Sequence, residues 1–338
     1  MKYIVLLIIF LCTYFLSPTP EPTSYAFEKY SVSEALKELG DNSIKHYPQY
    51  QLKNVSVENG KRLFHTGFAT KPNGGRTKKQ SKHFVCTSCH NIEREDPDMS
   101  VTDPQARLEY ASEKGIPFLQ GTTMYGAVNR VNFYNGDYYK KYGDLVLKAR
   151  NNIYEAIQLC AVECAQGRKL KQWENESIVA YLWSLELQFD DLILSSEEKQ
   201  FIENAMKNEV QKDSAIAIIK SKYLKGSPAT FIPPPENRKT GEAYTGDSKN
   251  GKLVYDLSCK HCHENERYSF FALDDTKLSF QHLKKHMPTY SRYSMYQVTR
   301  WGTEPHPGKG SYMPHYTKEK MSEQQLQDLR AYVLQQAE

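Results

Sequence analysis

Two stretches of this 338-residue chain, Cys86-Thr-Ser-Cys89-His90 and Cys259-Lys-His-Cys262-His263, share the pattern Cys-x-x-Cys-His. Two thiols three residues apart lie on one helical turn, where they add across the two vinyl groups of a haem. The imidazole that follows reaches the iron. A zinc or disulfide site would use the cysteines and leave both histidines unexplained. The spacing therefore predicts two covalently bound haem c groups. Cys86, Cys89, Cys259 and Cys262 are the attachment points, with His90 and His263 as proximal iron ligands.

The remaining cysteines are Cys12, Cys160 and Cys164. Cys12 lies in an uncharged apolar run over residues 3–16, short of the roughly 20 residues that a spanning helix needs. Small residues Ser24 and Ala26 follow at the positions a signal peptidase reads. Residues 1–26 read as an export signal and the chain as periplasmic, meeting a membrane only if that segment stays uncleaved. Covalent haem attachment outside the cytoplasm agrees with this. Lys and Arg number 44 against 40 Asp and Glu, a net charge of +4. So balanced a chain is not a nucleic-acid binder that works by neutralising phosphates.

Helical periodicity without a strand-rich segment predicts an all-α fold. Asn59-Gly60-Lys61-Arg62-Leu63-Phe64 and Asn250-Gly251-Lys252-Leu253-Val254-Tyr255 repeat one another, each like the first helix of a class I cytochrome c domain. We divide the chain into a polar lead-in (27–50), an N-terminal haem domain (51–190), a helical and Pro-rich linker (191–244) and a C-terminal haem domain (245–338). Within these, Ile178, Tyr181, Leu182 and Leu185 mark a closing helix over 176–187. Ser195 to Glu198 is a capping box for one long helix to about Tyr223. A last helix starts at Ser322. The basic, Gly-rich segment 71–82 reads as an exposed loop, either merely solvated or docking a partner or an anion.

Met313 is the expected sixth ligand of the second iron. It sits 50 residues after His263, just before the terminal helix, as the methionine does in ordinary class I cytochromes c. Met287 and Met295, set among aromatics, read as core or loop residues. The first haem is less constrained, with Met99, Met124, His65, His83 and Cys160 all chemically able to ligate. Cys160 and Cys164, at helix spacing in an oxidising compartment, also fit a strained local disulfide or two inert thiols. Gly121 to Arg130 and Tyr134 to Tyr142 read as a pocket wall plus exposed loop, or as a face on which Asn129 and Arg130 bind an oxyanion.

The segment from Ile153 through Cys160, Cys164, Gly167 and Arg168 to Leu170 resembles the thiosulfate dehydrogenase family of dihaem cytochromes. More distantly it resembles the haem-binding subunit of the Sox thiosulfate-oxidising system. The resemblance implies that Cys160, seven residues before Gly167, ligates an active-site haem, and that Trp173 to Leu187 is the closing helix. It implies oxidation of a small reduced sulfur anion such as thiosulfate at the first haem, with electrons leaving through the second to a partner redox protein. A soft, anionic thiolate suits that chemistry. The chain departs from the family at two positions. Ala156 stands where an arginine four residues before the cysteine holds the substrate, so Arg150 or Arg168 must supply the charge. Cys164 stands where a serine is usual. The separation of His90 from Cys160 is also longer than the family's. Two other functions fit the same motifs: a non-catalytic electron carrier or cytochrome subunit of a larger complex, and a dihaem cytochrome c peroxidase.

Overall fold

The structure, a computed structural model, describes residues 29–303 and 312–338. The export signal and Cys12 lie outside the described residues, as do the residues just before Tyr312. The described chain is helical, with no β-strand among the described residues, and no helix in it is long and apolar enough to cross a membrane. In chain order the helices are α1 (Val32–Glu38), α2 (Val57–Thr66), α3 (Pro104–Lys114), α4 (Tyr138–Tyr142), α5 (Leu145–Ala149), α6 (Ile153–Leu159) and α7 (Gln172–Trp183). They continue as α8 (Ser196–Asn208), α9 (Lys212–Ser221), α10 (Ser248–Val254), α11 (Lys260–His263), α12 (Lys277–His286), α13 (Met295–Trp301) and α14 (Glu323–Gln336).

Their starts follow from capping chemistry. Ser56, Asp103, Asn152 and Asp247 accept backbone N–H groups that have no partner inside the helix. Ser195 with Glu198, and Ser322 with Gln325, close reciprocal capping boxes. The helix expected to run from Ser195 to Tyr223 is instead two, α8 and α9. Glu209 and Gln211 adopt left-handed φ of 55° between them, which lets both helices fold back onto α1. Val32, Leu36, Ile202, Ala205 and Ile219 form that shared core. The stretch read as a polar lead-in thus contributes a buried helix, opened by a capping box of Ser31 and Glu34.

The repeated Asn-Gly helices pack alike. A Cβ on Gly60 would run into the Ser177 carbonyl on α7, and one on Gly251 into the Asp328 carbonyl on α14. Each glycine lets two helix backbones approach where any other residue would hold them apart.

A buried ion cluster ties the early and late parts of the chain together. Glu95, 1% exposed, pairs with Arg107 of α3 at 3.2 Å and with Lys320 at 3.1 Å, and accepts the Thr123 N–H at 3.0 Å. Burial alone would raise its pKa, but Arg107 and Lys320 outweigh that and hold it well below the carboxylate range. Arg107 lies over the Phe118 ring. Leu108 and Phe118 enter the same core as Tyr255, Leu326 and Val333. Removing the charge would leave two cations facing a neutral amide. Glu95→Gln is therefore expected to destabilise the fold by about 3–5 kcal/mol, read as a lower urea midpoint with an unchanged slope.

Candidate functional site

At the first motif, Cys86–Ser88 form a tight turn and His90 follows in a half-buried position. Its Nδ1 lies 2.7 Å from the Thr122 carbonyl. A carbonyl oxygen only accepts, so Nδ1 carries the proton and Nε2 keeps its lone pair. Burial lowers the His90 pKa and keeps the ring neutral. Gly121 makes the fit: its N–H donates to the Cys89 carbonyl at 3.1 Å, and a Cβ there would meet the His90 ring at 2.6 Å.

The second motif is built differently and ends in the same arrangement. Tyr255–Cys259 form a single wide turn closed by i→i+5 hydrogen bonding, which runs into α11. Nδ1 of His263 donates to the Phe271 carbonyl at 2.7 Å, and burial again holds the ring neutral. Burial also pushes the Cys86 and Cys259 thiols up to about 12.

Cys259, Cys262 and His263 line a mostly apolar cavity with Met295, Met313 and Tyr316. Met313 is fixed at the wall through Thr303, whose Oγ1 accepts the Met313 N–H at 2.7 Å and whose N–H donates to the Met313 carbonyl at 2.9 Å. Met295 and Met321 also line this cavity and both belong to the buried core, as expected for Met295. Met287 lies buried in the neighbouring core, its carbonyl accepting from Ser294. The donor set of each motif, a neutral imidazole with a free Nε2 beside two thiols, fits a covalently attached haem. At the second motif the cavity and the thioether of Met313 complete the fit.

The two motifs touch. The His261 ring, between Cys259 and Cys262, lies beside the Ser88 backbone between Cys86 and Cys89. Beside that contact the Phe118 N–H donates to the Leu257 carbonyl at 2.9 Å.

Cys160 and Cys164 occupy a wide turn that continues α6, closed by the Ala165 N–H donating to the Cys160 carbonyl at 2.8 Å. Both are half-buried free thiols, so the disulfide among the sequence alternatives is not formed here. The Cys160 and Cys164 thiols are neighbours, and their interaction raises the Cys160 pKa and lowers that of Cys164. Tyr134 and Tyr142 direct their hydroxyls at the Cys164 sulfur, at 3.7 and 3.5 Å, and Tyr312 adds a third. Cys160 lies near Cys86 and Cys89. Tyr312 also packs edge-on against Phe84, so Tyr312 and Met313, adjacent in sequence, reach the two sites in turn.

The arginines do not gather at this cluster. Arg168 forms a two-pronged pair with the wholly buried Glu174, at 2.7 and 2.5 Å. Arg130 donates to the carbonyls of Thr123 and Tyr125 at 3.0 and 3.2 Å. It lines a separate cavity with Glu95, Asp96 and Lys320, beside the Thr122 that anchors His90. Asn129 is buried, accepting the Leu187 N–H. Arg150 retains a buried Nε without a partner among the described residues. Met99, expected as a chemically possible ligand, packs against the α1–α8–α9 core, and His65 bonds to Tyr181 at 2.9 Å. Sequence reasoning missed the convergence of Tyr134, Tyr142 and Tyr312 on Cys164; the density of tyrosines between 134 and 142 was its only signal. No protein-family model, no curated protein and no solved structure matches this chain.

His261 and His315 are further constrained. Burial, helped by Arg267 and Lys141, lowers them to about 4 and about 3. The unfolded chain takes up these protons near about pH 6.5, so their contribution to stability is present above that value and lost as pH falls through the folded pKa values. Melting temperature should therefore drop between about pH 6.5 and about pH 4, and less steeply in His315→Phe.

Proposed function

We propose that this chain is an exported dihaem c-type cytochrome of two class I-like domains, which oxidises a small reduced sulfur anion such as thiosulfate at its first site. The observation that carries the reading is the paired anchoring of His90 and His263. Each donates through Nδ1 to a backbone carbonyl, at 2.7 Å in both cases, and presents Nε2 beside two cysteines. A haem held at each motif supplies one-electron transfer at its iron. Cys86, Cys89, Cys259 and Cys262 provide the thioether bonds, and Met313 provides the sixth ligand at the second site. The approach of His261 to the Ser88 backbone sets the two sites side by side, a short route between them.

At the first site, Cys160 supplies a soft sulfur near Cys86 and Cys89, the place the resemblance to thiosulfate dehydrogenases gives the ligand cysteine. Arg150 is the one arginine of the expected three with an uncommitted buried nitrogen, which makes it the candidate for holding an anion. The ion pair of Arg168 and the carbonyl contacts of Arg130 favour a second reading, a carrier that passes electrons to and from redox proteins and binds no substrate.

A redox titration with optical detection separates them. The enzyme reading predicts one component of much lower potential than the other, lost in Cys160→Ala, and reduction of the wild-type protein by thiosulfate. Two components of similar, high potential with no response to thiosulfate would leave the carrier.

A further inference from the structure

Cys164 has no part in the reading above, yet it is the most elaborately held sulfur in the molecule. Tyr134 reaches it from the loop before α4, Tyr142 from the end of α4 and Tyr312 from far along the chain. Its other neighbour is Cys160, at the opposite end of one wide turn. An inert buried cysteine is usually packed among apolar groups. This one meets three phenols and a second thiol, and both cysteines remain partly exposed.

We propose that Cys160 and Cys164 form a reversible disulfide, a two-electron site that works by thiol–disulfide exchange, with Tyr134, Tyr142 and Tyr312 holding the reduced Cys164 sulfur. The oxidant is a small-molecule disulfide. The Cys164 thiolate attacks one sulfur of R–S–S–R, and the other leaves as a thiolate that takes a proton. The Cys160 sulfur then attacks the Cys164 sulfur of the mixed disulfide, losing its own proton and expelling the second R–S⁻. Two protein thiols become one disulfide, and one small disulfide becomes two small thiols. In the reverse direction a small thiolate attacks the Cys164 sulfur, and Cys160 leaves and takes a proton. A second small thiolate then attacks the small-molecule sulfur of the mixed disulfide and releases Cys164, whose sulfur the surrounding hydroxyl groups are placed to receive. The exchange does not depend on the cytochrome reading, but its consequence does: closing the bond withdraws the Cys160 sulfur from the first haem site.

The chain is built for a direct test, because Arg150 and Arg168 bound a tryptic peptide, residues 151–168, that contains both cysteines and no other lysine or arginine before its end. The full-length protein is equilibrated in buffers of graded reduced-to-oxidised glutathione, quenched in acid, blocked with N-ethylmaleimide, digested and weighed. The expected result is a peptide that carries two maleimides under reducing conditions. Under oxidising conditions it carries none and is lighter by two hydrogen atoms, with the same midpoint approached from either side. Tyr142→Phe removes one donor to the reduced sulfur. It should shift the midpoint about fivefold toward more reducing glutathione ratios, the equivalent of one hydrogen bond. A peptide that stays doubly blocked at every ratio, while the same chain in denaturant closes the bond, would overturn the proposal. An unshifted midpoint in Tyr142→Phe would overturn the role of the phenols. The same digest keeps the two readings apart: maleimide on Cys86, Cys89, Cys259 and Cys262 reports failure of haem attachment, independently of the state of residues 151–168.

Discussion

A backbone carbonyl that accepts from Nδ1 of a histidine fixes three properties together: the tautomer, the orientation of the ring and the nitrogen left to bind something else. His90 and His263 are both held in this way, by Thr122 and Phe271. Much of the surrounding chain serves these two contacts. Gly121 keeps side-chain atoms off the His90 ring. Thr122 and Thr123 are in turn positioned by Glu95 and the ring of contacts around it. At the second motif the wide turn from Tyr255 to Cys259 delivers α11 so that His263 points at the wall of the large cavity.

The early and late parts of the chain are mutually dependent. Glu95 pairs with Lys320, Tyr316 donates to the Phe118 carbonyl at 3.2 Å, and Gln325 donates to the Pro104 carbonyl at 2.7 Å. Tyr312 and Met313 continue this pattern at the sites, one reaching Cys164 and the next lining the cavity beside His263. A change at the Cys160–Cys164 turn therefore reaches Tyr312, the residue next to one that lines the second motif's cavity.

The sequence was legible where local chemistry decides. Ser195 with Glu198, and Ser322 with Gln325, announced helix starts, and Gly60 and Gly251 announced close helix crossings. Ser31 and Glu34 carry the same capping signal with Val32, Ala35 and Leu36 behind it, so α1 was readable and was overlooked in a polar stretch. The break between α8 and α9 was not readable. Glu209 and Gln211 take left-handed conformations that their side chains do not favour, so the packing of both helices on α1 must impose them. The Cys160 turn is similar: helix spacing was visible, but an i→i+5 closure depends on the tyrosines around it. The arginines misled for a related reason, since the partner of Arg168 is a buried glutamate six residues on, and its burial is a tertiary fact.

The central claim is that both Cys-x-x-Cys-His motifs carry covalent haem. The most direct measurement is the intact mass of the protein exported from a host with a c-type maturation system, recorded under denaturing conditions. The account predicts the mass of the processed chain plus two haems, falling to one in Cys259→Ala/Cys262→Ala. A chain at its bare polypeptide mass, with all four motif cysteines open to alkylation, would contradict it.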